Sequence, residues 1–435
     1  MATVEATPGT TLPPGSRLPR LVQTALFLSA RRRILARWHR RYGDVFLIRV
    51  AGGRTVVTLT LPEHIRQVFA GAATIFHAGE GNGMLAPVMG HNSVLVTDED
   101  VHLRARKLLM PAFNGAALRG YRDMMTELAV ENVSNWPTNT PFPVHPRMNA
   151  VTLEIILRVV FGLSDGPRLA ELRPRLRRIS EIGPLTVLGW SYPRLSRFGP
   201  LRRNWENLQA VDRLLYAEIA DRRASGDLSE RGDVLSRLLT EAGEELTDGE
   251  LRDHMITLLL AGHETTATAL AWAFHELARR PAILRAARQA ADDGDDAYLE
   301  AVAKEAMRRR PVIQNVARKL TEPTEIAGYR LPAGTVVAPS ITLVHRDAEA
   351  HPSPREFRPE RFLGKQPEPG TWIPFGGGVR RCIGAGFSLQ EAVAVLREAL
   401  LRYDIHPAEA RPERTKPRNI TLIPAQGARI IATPR

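Results

Sequence analysis

Apolar residues recur every third and fourth position through most of residues 62–310, the spacing that puts them on one face of a 3.6-residue helix. The pattern is clearest over 98–110, 116–135, 147–162, 203–225, 248–280 and 295–310, and it returns over 384–402. Strand character is confined to the two ends. Residues 44–60 read as a β-hairpin turning at Gly52-Gly53, 322–344 as a hairpin around Leu331-Pro332-Ala333-Gly334, and 419–432 as short strands. Thr247 and Glu250 have the spacing of a capping box, and no proline follows before Pro281. The helix they open is therefore long, roughly 48 Å at 1.5 Å per residue. Between 345 and 383 the chain is rich in Pro, Gly and Arg, and such a length without regular structure points to a functional loop.

The fold class that follows is mainly α with small β-sheets. No composition shift marks an interior linker, so residues 21–435 read as a single large domain behind a flexible Pro-rich leader, 1–20. Over 435 residues, 44% are hydrophobic and 24% charged, a balance that excludes disordered, collagenous and coiled-coil chains. The net charge of +12 is carried almost wholly by arginine, since only five of 59 cations are lysine. Those arginines are dispersed among acids without a basic stripe or tail, which argues against a nucleic-acid binder. The early apolar stretch Leu21–Ala30 is about half the roughly 20 residues that span a bilayer. No transmembrane anchor and a cytoplasmic location are expected.

Cys382 is the only cysteine, which rules out internal disulfides and cysteine-built iron–sulfur or zinc-ribbon sites. It stands in Phe375-Gly-Gly-Gly378-Val-Arg380-Arg-Cys382-Ile-Gly384, directly before a helix. Unpaired N–H groups and the positive dipole end at a helix start favour a thiolate. The glycines let the backbone approach something flat, Phe375 can pack against it, and Arg380 offers a charge to a carboxylate. In the long helix, apolar runs flank Ala261-Gly262-His263-Glu264-Thr265-Thr266. A carboxylate there costs several kcal/mol unless paired or hydrated. Thr265 can bond back to the carbonyl of Ala261, and Gly262 leaves a gap beside it.

The loop pattern Phe-x-x-Gly-x-Arg-x-Cys-x-Gly resembles the haem-binding signature of the cytochrome P-450 superfamily at every fixed position. The similarity implies the cytochrome P-450 fold, haem b as cofactor, and Cys382 as axial thiolate; thiolate donation favours O–O cleavage. Ala261–Thr266 resembles the family's oxygen-activation motif, which implies that Glu264 relays protons and Thr265 donates a hydrogen bond at the acid-catalysed step. His263 is expected to pack away from the haem. Glu305 and Arg308 match the family's Glu-x-x-Arg pair, with Arg361 completing a buried structural triad. His102 and Arg106, one turn apart, match a propionate-binding pair. Arg380 and, less specifically, Arg318 are further propionate partners.

By resemblance the chain is a monooxygenase inserting one atom of O₂ into a hydrophobic small molecule, lipid, steroid, terpenoid or polyketide-like. Its two electrons would come from an external ferredoxin or flavodoxin with its NAD(P)H reductase, docking near Arg104, Arg106, Lys107, Arg380 and Arg381. Substrate contacts are expected from 77–96, from 180–203 with Trp190, Tyr192 and Phe198, and from 312–316 with Gln314 and Asn315. The alternatives are a peroxide-using or isomerase/dehydratase haem-thiolate enzyme, against which the intact Glu264-Thr265 pair speaks, and a haem sensor or ligand-binding protein without turnover.

Overall fold

The computed structural model describes residues 12–29, 31–162, 165–180, 199–243, 245–418 and 420–435. After helices α1 (Arg20–Ser29) and α2 (Arg31–Tyr42), strands β1 (Val45–Arg49) and β2 (Thr55–Leu59) form the expected hairpin. Its turn uses Gly52 and Gly53 at φ 77° and 76°, conformations open to glycine. Helix α3 (Pro62–Ala70) and strand β3 (Phe76–His77) follow. Then come α4 (Glu99–Leu109), α5 (Gly115–Ser134), strand β4 (Pro141–Pro143), α6 (His145–Phe161), α7 (Pro167–Ser180), α8 (Gly199–Arg223) and α9 (Val234–Ala242). The long helix α10 spans Asp248–Ala278, followed by α11 (Pro281–Asp293) and α12 (Asp296–Arg309). Strands β5 (Arg318–Leu320), β6 (Thr324–Ile326), β7 (Tyr329–Leu331) and β8 (Val336–Pro339) precede α13 (Ala385–Arg402). The chain ends in β9 (Tyr403–Pro407), β10 (Thr415–Arg418), β11 (Thr421–Pro424) and β12 (Arg429–Pro434).

Every helix read from periodicity is present within a few residues. The second hairpin differs from expectation. β6 and β7 pair antiparallel around Ala327-Gly328, and Pro332–Gly334 instead sends the chain to another sheet. There β8 runs parallel to β2 and antiparallel to β5, in the order β1-β2-β8-β5-β3. Apolar residues of both faces decide this, since Val57 and Val337 pair in register and are fully buried.

Part of the leader is also not free. Leu47 donates its N–H to Pro14 O at 2.8 Å, and Gly15 lies so close that a Cβ would meet Leu47 O at 2.3 Å. Gln23 is wholly buried. Its amide donates to Ser16 O (3.1 Å) and Leu18 O (2.7 Å) and accepts from Arg49 N (3.0 Å), stapling residues 16–18 to β1. Among the described residues no helix is long and apolar enough to cross a membrane.

α10 runs through the helical body against α6, with α12 and α13 packed on its other sides. A capping box opens it as the sequence predicts: Thr247 Oγ1 accepts from Glu250 N (3.2 Å) and Glu250 Oε2 from Thr247 N (2.9 Å). The irregular 345–383 stretch is anchored by a buried ion cluster. Glu305 takes Arg308 at 2.6 and 2.8 Å, the N–H of Arg358 at 2.8 Å and Arg361 at 3.4 Å. Arg308 also donates to His345 O, Pro354 O and Glu356 O. A wholly buried pair is held only when its remaining hydrogen-bonding capacity is filled, and here backbone carbonyls of the loop fill it.

Candidate functional site: a thiol, a cation cluster and the middle of α10

The Cys382 loop is closed by its own backbone, with Cys382 N–H donating to Phe375 O at 2.9 Å. Gly384 caps α13 two residues later, so the sulfur lies at a helix N-terminus. Burial pushes the thiol pKa up, while the Gly384 amide, Arg106 and Arg381 pull it down. The residue is nevertheless exposed. The glycines serve packing more than the approach of a flat ligand. A Cβ on Gly377 would lie 2.2 Å from the Phe69 ring, and one on Gly378 2.1 Å from Phe69 O. Phe375 meets Trp372 edge to face at 5.8 Å.

Beside the thiol, α4, β5 and the loop bring four basic side chains together. His102 is buried and pushed down to about 3 by burial and by Arg380, Arg106 and Arg318. Burial and Arg380 hold Arg318 down at about 10, and burial and Arg106 hold Arg380 at about 10 despite Asp98. Arg380 donates to Thr97 O (2.7 Å) and Leu95 O (3.3 Å), with Asp98 at 3.7 Å; Arg106 donates to Arg381 O at 2.7 Å. The three arginines hold His102 down, Arg380 holds Arg318 down and Arg106 holds Arg380 down, with Asp98 opposing the effect at Arg318 and Arg380. Such a cluster calls for anionic oxygens, and the paired propionates of a haem are a ligand of that chemistry.

On α10, every residue from Leu251 to Ala278 is buried except Ala261, Gly262 and Thr265. Ala261 and Thr265 are one turn apart, so they open the helix on a single face. Thr265 Oγ1 donates to Ala261 O at 2.7 Å, as the sequence suggests. Gly262 has a second use: a Cβ there would press on Ile156 at 3.0 Å, so the glycine admits α6. Glu264 takes another direction, with Oε1 3.1 Å from Arg418 of β10 and 3.9 Å from His145 Nε2. His263 is buried and donates from Nδ1 to Leu259 O at 2.5 Å. Thr266 reaches Ser388 of α13 at 3.1 Å, linking this part of α10 to the helix that follows the thiol.

Arg418 and His145 have no signal in the local sequence that marks them as site residues, and Glu391 has a single one. Arg418 and Glu264 lie 154 residues apart. Glu391 of α13 is fully buried near Thr266, and burial raises its carboxyl well above the usual range. Its position on the apolar face of a helix is the one clue. Of the expected substrate-facing regions, 181–198, with Trp190, Tyr192 and Phe198, lies outside the described residues. Gln314 is 2% exposed, and neither end of its amide has a hydrogen-bond partner among the described residues. Arg104, Lys107 and Arg381 are exposed around the thiol loop, whereas Arg380 turns inward and is unavailable to a docking partner.

A helical body carrying a thiol loop, a buried cation cluster and a polar break in its central helix defines a haem-thiolate class of protein. Residues 13–431 match the family model described as Cytochrome P450. The chain is 51% identical over 431 residues to the provisionally named cytochrome P450 135A1 of Mycobacterium tuberculosis, covering 98% of this chain and 96% of that protein. It is 46% identical to the likewise provisionally named cytochrome P450 135B1 of Mycobacterium bovis, covering 96% and 91%. Among solved structures, retinoic acid-bound cyanobacterial CYP120A1 superposes with a TM-score of 0.87 at 22% identity, over 98% of this chain and 100% of that one. The cytochrome P450DA haem domain gives 0.84 at 25% identity, over 98% of each. The chain belongs to the cytochrome P450 family. It is accordingly a monooxygenase-type oxidoreductase that carries haem b and works with O₂, a hydrophobic substrate and a redox partner.

Proposed function

We propose that the Cys382 thiolate would hold the iron of the haem, that His102, Arg106, Arg318 and Arg380 would bind its propionates, and that Glu264 and Thr265 would deliver protons and hydrogen bonds for oxygen activation. Phe375, Gly378 and Gly384 shape the loop around the sulfur. The observation that carries this reading is the convergence of the accessible thiol and the buried cations, which together fit one ligand with a metal and two carboxylates. Haem b bound here supplies the centre at which O₂, two electrons and two protons convert R–H into R–OH and water. The protein's part is to oppose the burial cost of a thiolate through the Gly384 amide and nearby arginines, and to balance the propionate charge. Thr265 presents its hydroxyl on the one open face of α10, and Glu264 holds a proton-exchanging carboxyl one residue away.

The substrate is a hydrophobic small molecule bearing a polar group, with the unpartnered Gln314 amide as one recognition element. Electrons come from a ferredoxin or flavodoxin that docks by its acidic face on Arg104, Lys107 and Arg381. The test is the carbon monoxide spectrum of the dithionite-reduced protein beside Cys382→Ser. A strongly red-shifted Soret band in the wild type that disappears in the variant is expected. A band without the red shift, or a red-shifted band retained in the variant, would rule out Cys382 as the thiolate ligand.

A further inference from the structure

The four cations beside the thiol come from three separate pieces of chain: α4 carries His102 and Arg106, β5 carries Arg318, and the thiol loop carries Arg380. A residue outside that set touches two of these pieces. His77 ends β3, paired in register with Lys319 of β5, next to Arg318. It then opens the one-turn helix Ala78–Gly81, which packs between the segments leading into α4 and β5. A Cβ on Gly79 would meet Val96 O at 2.5 Å, and one on Gly81 would lie 3.2 Å from Ala317. The Gly79 and Glu80 amides donate to Asp98 at 2.8 and 2.9 Å. Asp98 lies 3.7 Å from Arg380, which also donates to the neighbouring Thr97 O.

The His77 ring, 13% exposed, is held from both sides. Nδ1 lies 2.8 Å from Glu80 Oε1 and Nε2 2.7 Å from Glu99 Oε1, with Asp98 Oδ2 3.8 Å from Nδ1. A neutral imidazole carries hydrogen on one nitrogen only, so its other nitrogen would meet a carboxylate lone pair to lone pair. Two such contacts require an imidazolium. Burial opposes that charge, but Glu80, Glu99 and Asp98 outweigh it and raise the ring's pKa above its ordinary 6.5. Lys319 faces the same acids and is bonded to the other oxygen of Glu80. Glu99, the first residue of α4, reaches His77 from φ 51°, a left-handed conformation unfavourable to a residue with a Cβ. The start of α4 is thus held in a shape its own backbone does not favour.

We propose that His77, as an imidazolium, is a positioning residue for the cofactor: it clamps the start of α4 to β3 and β5 and so keeps the propionate-binding cations in register. This role rests on the propionate assignment of His102, Arg106, Arg318 and Arg380. When the ring loses its proton, one of its two carboxylate contacts turns repulsive and the clamp opens. The clamp is complete below the ordinary histidine range and is lost as pH rises through the raised value. Haem retention therefore weakens on the alkaline side.

The test is the rate of haem transfer from the holoprotein to excess apomyoglobin between about pH 6.5 and 9, above the ordinary histidine pKa. Deuterium exchange over residues 76–100, corrected for the intrinsic rate, is followed beside it. In the wild type both should rise severalfold along a single-proton curve. In His77→Gln both should be fast and independent of pH, since glutamine carries no charge. In Glu99→Gln, an exposed position, the midpoint should move towards acid. Arg106→Gln should lose haem faster throughout while its exchange profile stays that of the wild type. A wild type independent of pH, or a His77→Gln profile that follows the wild type, would overturn the clamp. Unchanged haem loss in Arg106→Gln would instead overturn the propionate assignment, and with it the part of His77 in haem retention, while the exchange profile still reports the clamp itself.

Discussion

Glu264 illustrates how a single residue's role depends on a partner the local chain cannot reveal. Its position among apolar neighbours marks it as costly, and the cost is offset by Arg418 at 3.1 Å, with His145 at 3.9 Å held neutral by burial at about 4. Breaking one side of a buried pair costs roughly 3–5 kcal/mol if the remaining charge stays, so the carboxyl is expected to respond by taking up a proton. In Arg418→Met, product formed per NADPH consumed, measured with a surrogate ferredoxin system, should fall severalfold and its pH profile should shift alkaline. Arg418→Lys should restore both, and haem content should be unchanged in each. Unaltered coupling in Arg418→Met would show that the pair is structural only. Cys382, by contrast, needs no distant partner to be recognised, because glycines, arginine and helix start all lie within ten residues of it.

Among the elements, α10 was the most legible, from its capping box to its polar interruption. Thr247→Ala removes the acceptor for Glu250 N and should lower stability by about 1 kcal/mol, read as a reduced urea midpoint at unchanged m-value. An unchanged midpoint would mean that packing along α10, not its cap, fixes the N-terminus. The β6–β8 region was read less well for an identifiable reason. Ala327-Gly328 and Pro332-Ala333-Gly334 both carry turn residues, and local chemistry does not rank them. The choice is made by β2, which pairs with β8 from nearly 280 residues away. Similarly, the glycines of the Cys382 loop are conspicuous in sequence, but only the position of α3 shows that Phe69 is what they accommodate.

At the scale of the whole molecule, buried histidines set the acid limit of stability. His145, His263, His275 and His351 are each pushed down to about 4, and His345 well below the ordinary value, burial being the first cause throughout. The unfolded chain binds protons at these sites near pH 6.5 while the folded chain does not, so stability falls as pH drops from 6.5 towards 4. His102 is set apart because three arginines, Arg380, Arg106 and Arg318, act on it together with burial. Urea midpoints of the holoprotein between pH 7 and 4 should decline steeply. His275→Gln should flatten that decline, since glutamine can replace its Nε2 as acceptor for Glu413 N–H without titrating. A midpoint independent of pH over this window would contradict the buried-neutral assignment.

The sequence by itself determined the helical class, the length and cap of α10, the thiol loop, and the pairing of Glu305 with Arg308, because each is written in spacings of a few residues. Tertiary structure alone decided which residues close around them. It placed Arg418 on Glu264, buried Glu391 behind Thr266, turned Arg380 inward and fastened residues 14–18 to β1. The division has one physical cause. Helix periodicity, capping and turn chemistry are local interactions, whereas a buried charge finds its partner by the packing of elements hundreds of residues apart, where many arginines of equal local character compete for the place.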